Sequence, residues 1–246
     1  MKKLNRIGEK HITNDGYEVK ITEYVNAHNC SIQFESGLIL NGIIYAHLNN
    51  GTVKNPVHPL VYGVGYFGVG EYNSKINGKL TDAYIIWRRM LERCYSEKYQ
   101  EQYPTYKNCT LDERWYNFQI FAKWFEENYI ESFDLDKDIL IKGNKIYSPE
   151  TCCFVHKDIN KLFTKCNNLR GKYPIGVTKK GNKFQVTLSI NSKTTYLGCF
   201  DTIEESFQTY KIAKEENIKK IANKYKQQIT ETCYQALINY KVNIND

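Results

Sequence analysis

The chain has 246 residues, 41% hydrophobic and 25% charged, with a formal net charge of +7, which excludes a disordered chain. No apolar run approaches the roughly 18 residues of a membrane helix, and the start, MKKLNRIGEKHITNDGYEV, is basic without an apolar core, so neither a membrane span nor a signal peptide is expected. The 8 cysteines are scattered in a chain too long to need staples, and they are read as reduced and mostly buried, in a cytoplasmic protein.

The first segment, residues 1–75, alternates strand-like runs with turn signals. YEVKITEYV (17–25) and CSIQFESGLIL (30–40) are β-rich, and Asn-Asn-Gly at 49–51 marks a turn. VYGVGYFGVGEY (61–72) carries four glycines, but no helix signal and no Lys-Ser/Thr pair follows, so it is not a phosphate loop. A small β-module is expected, with a protein partner open to it.

The second segment, residues 80–165, begins with DAYIIWRRMLERCYSEKY (82–99), whose apolar residues recur at helical spacing and whose Asp82 is a candidate N-cap. A second amphipathic helix follows, with Trp115, Phe118, Phe121 or Ala122, and Phe125 on one face. Aromatic stripes of this kind belong to cores. Next comes DKDILIKGNKIYSPETCCFVHKDIN (136–160), a turn bounded by an aspartate and an asparagine. Three successive charged residues, Asp136, Lys137 and Asp138, read as solvated. His156 is most simply a polar residue at the start of the last helix, with a proton-accepting role from the helix side as the alternative.

The third segment, residues 167–246, begins with a linker at Leu169–Pro174. YPIGVTKKGNKFQVTLSINSKTTYLGCFDT (173–202) reads as three strands separated by Lys-Gly-Asn and Ile-Asn-Ser-Lys turns, and Asp201 or Thr202 then caps a helix. Strand alternation turns Phe184, Val186, Leu188 and Ile190 toward that helix. It turns Lys183, Gln185, Thr187 and Ser189 outward, joined by Thr178, Lys180 and Lys193. From Lys165 onward there are 14 Lys and Arg against 7 Asp and Glu, so the whole formal excess sits here. Such a local excess suits nucleic acid, because each neutralised phosphate releases counterions. The fold class expected is α+β: a β-module, a central helical part, and a three-stranded sheet with a helix.

Two stretches carry resemblances. Residues 173–214, through IGV (175–177), KFQVTLSI (183–190), YLGCF (196–200) and EESFQTYKIAK (204–214), resemble the ethylene-response-factor (APETALA-type) DNA-binding domain. That domain also occurs in phage and mobile-element endonucleases. Trp87, Met90, Leu91, Arg93, Cys94 and Tyr95 resemble a segment upstream of the site in phage HNH homing endonucleases. Their site runs Asp-His, a middle Asn, and an Asn or His nine residues later. Here Asp136 falls on the aspartate, Lys137 on the histidine, Thr151 on the middle asparagine and Asn160 on the last letter.

The HNH resemblance implies a ββα-metal motif, with Asp136 ending its first strand and Asn160 on its helix. These two would hold one divalent cation such as Mg²⁺. It implies double-stranded DNA as partner, and a host-cell cytoplasm with a phage or mobile element as source. In the family the histidine takes a proton from the attacking water, which a protonated lysine at 137 cannot do. Thr151 keeps some of the loop-bracing capacity of the asparagine. Zinc is not expected, since no Cys-x-x-Cys pair is present and Cys94, Cys109, Cys152, Cys153 and Cys166 show no ligand spacing. Two readings result: a DNA endonuclease with an altered base, or a catalytically inactive DNA-binding regulator or inhibitor. An adaptor acting through the N-terminal module is a third.

In the implied DNA-binding domain, lysines hold phosphates while Gln185 and the threonines read base edges. Plant members are arginine-rich on that face, and this chain is not.

Overall fold

A computed structural model describes residues 5–164, 172–190 and 193–246. The first three residues of the expected linker, Leu169–Gly171, and Asn191 and Ser192 of the last expected turn lie outside them. The fold is α+β, and the chain divides into two compact units, residues 1–72 with 116–119 and residues 73–115 with 120–246. The segment expected at 80–165 and the one expected at 167–246 thus share the second unit. Among the described residues no helix is long and apolar enough to cross a membrane.

The first unit is an antiparallel meander of β1 (Lys10–Ile12), β2 (Glu18–Asn26), β3 (Asn29–Phe34) and β4 (Ile39–Ile43), followed by the short helix α1 (Tyr45–Asn49). Its core is Val19, Ile21, Cys30, Ile32 and Phe34, inward positions of the alternating strands, with Leu48 of the helix and Val53 of the loop after it. In the same unit Phe67 stacks on Phe118 at 5.2 Å.

The second unit opens with a hairpin of β5 (Lys75–Ile76) and β6 (Lys79–Leu80), turned by Asn77 and Gly78, both at positive φ. α2 (Asp82–Tyr95) follows, capped not by Asp82 but by Thr81, whose hydroxyl accepts from the Tyr84 amide. Thr81 is the last residue with extended backbone; Asp82 already lies in the first turn, where its charge favours the helix N-terminus. Then come α3 (Glu97–Gln102), β7 (Thr110–Leu111) and α4 (Phe118–Asn128), whose first two residues belong to the first unit. Trp115, Phe118, Phe121, Ala122 and Phe125 are all buried, as their spacing requires.

β8 (Phe133–Asp136) and β10 (Cys153–His156) pair antiparallel, Asp136 opposite Cys153, and α5 (Lys157–Phe163) continues directly from β10. This is a strand, strand, helix succession. The connection between the strands carries β9 (Ile146–Tyr147), which pairs in parallel with β7.

β11 (Val177–Lys180), β12 (Lys183–Ile190) and β13 (Lys193–Phe200) form an antiparallel sheet in that order. Val186 and Leu188 pack on Phe207 and Tyr210 of α6 (Ile203–Tyr225), with Val242 completing the cluster. Thr202 caps α6 by accepting from the Glu205 amide, and its hydroxyl meets the Glu205 carboxylate in turn. Gly176, at φ +76°, has no room for a side chain, since a Cβ would overlap the Tyr210 ring. α6 runs on beyond the sheet, where Ile218, Ile221, Ala222 and Tyr225 are buried, and α7 (Glu231–Ile238) packs beside it.

Candidate functional site

The strand, strand, helix element places Asp136 at the end of β8 and Asn160 one turn into α5. Both line a single cleft of about 910 Å³, together with Asp134, Lys137, Asp138, Asn144 and the α2 residues Arg89 and Arg93. Asp134 and Asp136 are two apart on one strand and so share a face. The Asn160 amide nitrogen donates to the Asp134 carboxylate at 3.3 Å, which leaves the amide oxygen of Asn160 for another partner. Asp134 was not singled out from the sequence, although strand alternation from Asp136 points to it.

Asp136 is held firmly. Its Oδ1 accepts from the backbone amides of Asp138 and Ile139, both at 2.8 Å. Burial, and next the negative charge of Asp138, raise its carboxyl to about 6. Those causes are what a bound cation opposes, and the donors Asp136 and Asn160 supply oxygens, which suits a hard divalent ion. Among the described residues no group of three or more His, Cys, Asp and Glu side chains is arranged to hold a metal; one carboxylate with one amide is a sparser set.

Lys137 departs from expectation. It is buried, 8% exposed, rather than solvated. The reason is local: its ammonium donates to the Asp138 carboxylate at 3.2 Å and to the Asn144 carbonyl at 3.3 Å, and it lies 5.7 Å from the Tyr147 ring centroid. Asn144 returns the contact, donating to the carbonyls of Lys137 and Ile146, each at 2.6 Å. The pair closes the base of the loop between β8 and β9.

Thr151 ties that connection further along. Its hydroxyl donates to the Ile146 carbonyl at 2.7 Å and accepts from the Ser148 amide at 3.1 Å. His156 does not line the cleft. It caps α5, its Nδ1 accepting from the Asp158 amide, and its ring stacks on Tyr225. Cys94, Cys109, Cys152 and Cys153 are buried free thiols, and burial is the leading cause raising Cys94 and Cys152 to about 12.

The outward face of the C-terminal sheet follows from its register. Lys180 sits opposite Lys183, Thr178 and Cys199 flank Gln185, Tyr196 faces Thr187, and Thr194 faces Ser189. Thr178, Lys180, Lys183, Gln185, Thr187 and Ser189 therefore lie on one face. Lys193 does not join them. It pairs with Ile190, an inward position, and so belongs to the helix-side face at the strand end. The register shift between Val186 and Thr187 leaves Leu197 as the extra residue of β13. It changes which β13 residues point outward, adding Thr194, Tyr196 and Cys199 to the face. Tyr196 is 61% exposed. Lys183 forms an exposed ion pair with Asp201 at 3.1 Å.

No family model, curated protein or solved structure matches the chain.

Proposed function

We propose that this protein binds double-stranded DNA through the outer face of β11–β13 and cleaves it at the β8–β10–α5 element with the help of one divalent cation. The reading relates it to phage HNH homing endonucleases carrying an ethylene-response-factor-type domain. The observation that carries it is the convergence of Asp136 and Asn160, from the strand end and the helix of a ββα element, on one cleft beside Arg89 and Arg93.

Asp136 and Asn160 would hold the cation, with the loop amides of Asp138 and Ile139 fixing the carboxylate. A bound divalent ion supplies charge stabilisation to a phosphodiester and its leaving oxygen. The chain's own residues orient that site. Asp134 anchors Asn160, Lys137 and Asn144 close the loop, and Thr151 ties the rest of the turn. On the sheet, Lys180 and Lys183 would contact phosphates, while Gln185, Thr187 and Thr178 present donors and acceptors to a groove.

A second reading, DNA binding without cleavage, draws support from the seating of Lys137. Its ammonium is already donating to two oxygens, and among the described residues no histidine lines the cleft. One experiment separates the readings. The full chain is titrated into a labelled duplex and, in parallel, incubated with supercoiled plasmid in Mg²⁺, Mn²⁺ or EDTA. Binding with metal-dependent nicking supports cleavage, binding without nicking supports the second reading, and no binding at low salt removes both.

A further inference from the structure

The α2 stripe that lines the cleft carries two guanidinium groups, Arg89 and Arg93, that form no ion pair among the described residues. Asp82, Ile85, Ile86, Arg89 and Arg93 recur at three- and four-residue steps, and this stripe of α2 lines the cleft. Arg93 is half-buried. Its contacts include the Tyr147 hydroxyl at 3.4 Å, the Tyr106 ring, 5.3 Å to the centroid, and the Tyr99 side chain. Among the described residues no carboxylate lies within ion-pair distance of Arg93 or Arg89, whereas Arg114 grips Asp112 at 2.8 Å and Glu150 at 2.7 Å. Holding the Arg93 charge partly away from water without a counter-charge is unfavourable, while Arg89 is exposed on the same stripe. A guanidinium does not escape the cost by losing its proton, as a lysine can.

Three tyrosines, Tyr99, Tyr106 and Tyr147, orient Arg93 without neutralising it, and Tyr147 is itself fixed, 2% exposed and on a strand paired with β7. Asp134, Asp136 and Asn160 line the same cleft. We propose that Arg93, with Arg89 one turn before it, is the phosphodiester-binding wall of this cleft, taking the DNA backbone by its non-bridging oxygens while the Asp136 wall faces the same phosphate. The planar fork of arginine matches two phosphate oxygens, which a lysine does not. The assignment rests on the DNA-binding reading above. It adds where the backbone enters and which residues receive it.

The test uses the full chain, a fluorescein-labelled duplex, EDTA and a salt series, with thermal melting run on every variant. Arg93→Gln and Arg89→Gln should each weaken binding by about tenfold and reduce the slope of log K against log salt by about 0.9. Arg93→Lys should keep most of the slope, because the charge remains, yet lose affinity with the fork. Lys180→Glu, on the sheet, is the reference for DNA binding as such. If Lys180→Glu weakens binding while Arg93→Gln and Arg89→Gln match the wild type in affinity and slope, the wall is overturned and the DNA reading stands. If the wild type shows no affinity for the duplex, the DNA reading fails and the wall falls with it. Should Arg93→Gln melt below the assay temperature, the exposed Arg89→Gln decides: an unchanged slope overturns the proposal.

Discussion

Tyr225, on the last turn of α6, stacks on His156 with ring centroids 4.3 Å apart and planes 20° from parallel, and its hydroxyl donates to Asp158 at 2.6 Å. That hydroxyl is the leading cause of the lowered pKa of Asp158, and Lys224 adds an ion pair at 3.2 Å. The helix that supports the C-terminal sheet at one end is thereby fastened to β10 and α5 at the other. Lys214 strengthens the joint by donating to the Leu162 carbonyl at 2.7 Å. Tyr225→Ala should cost about 3–5 kcal/mol, as for other buried aromatics. Tyr225→Phe should cost about 1 kcal/mol, since only the hydrogen bond is lost. Urea denaturation of both variants checks this. Equal losses would mean that the stack contributes nothing.

The second prediction concerns the aromatic stripe. Phe118 is 0% exposed and stacked on Phe67. Phe118→Ala should destabilise by about 3–5 kcal/mol, read from the denaturant midpoint at unchanged slope. A change below about 0.5 kcal/mol would place the ring at the surface instead.

For the sheet, the register makes a selective prediction. On the proposed reading, Lys180→Glu should weaken duplex binding for every sequence and flatten its salt dependence, because a lysine on that face would meet phosphates. Lys193→Glu should do markedly less, since its strand position belongs to the other face. Tyr196→Ala should also lower affinity, the ring standing 61% exposed beside Thr187. Anisotropy titrations at two salt concentrations measure all three. Equal effects of Lys180→Glu and Lys193→Glu would show that net charge, not the face, governs binding.

Much of the α+β fold could be read from periodicity, because strand alternation and helical spacing directly encode burial. Val186, Leu188, Phe207 and Tyr210 meet in one core, and so do Trp115 and Phe121. What escaped was short or non-local. The β5–β6 hairpin is only two residues a side, too short for alternation to show, although Asn77-Gly78 is a strong turn signal. The register shift that turns Cys199 outward is invisible without the partner strand. The burial of Lys137 depends on Asn144, seven residues away, folding back to meet it. Arg89 and Arg93 read as one more amphipathic helix until the cleft they line is known.

Asp136 leads to a pH prediction. Its carboxyl keeps a proton up to about pH 6 in the fold, against about 3.9 for a free aspartate. Between those values the folded state binds more protons than the unfolded one. The stability from this group is therefore full below about pH 4 and is lost as pH rises through about 6. At pH 7.5 in EDTA, Asp136→Asn should stabilise the protein by on the order of 1–3 kcal/mol, since its amide oxygen can still accept from the Asp138 and Ile139 amides. Millimolar Mg²⁺ should raise the melting temperature of the wild type and not that of the variant. A wild type more stable than Asp136→Asn in EDTA at pH 7.5 would contradict the assignment.

The last prediction addresses the position where the family resemblance places a histidine and this chain has Lys137. The ammonium there closes a loop and cannot accept a proton, whereas Asp136, one residue before it, retains the oxygens that would hold a cation. Base function and cation function therefore separate by substitution. Asp136→Ala should abolish metal-dependent protection against heat and any plasmid nicking. Lys137→Ala should leave the response to Mg²⁺ in place while lowering stability, because the Asp138 carboxylate and the Asn144 carbonyl lose their shared donor. Lys137→His restores a proton acceptor next to Asp136 and should raise nicking by up to about 10²–10⁴, the range a general base supplies. If neither the wild type nor Lys137→His nicks DNA while both bind it, the missing element is not the base, and binding without cleavage becomes the better account. If the wild type nicks efficiently and Lys137→His nicks less, then the lysine has a working role in cleavage: its buried charge, set between Asp138 and the Asn144 carbonyl, contributes as a cation rather than standing where a base was lost.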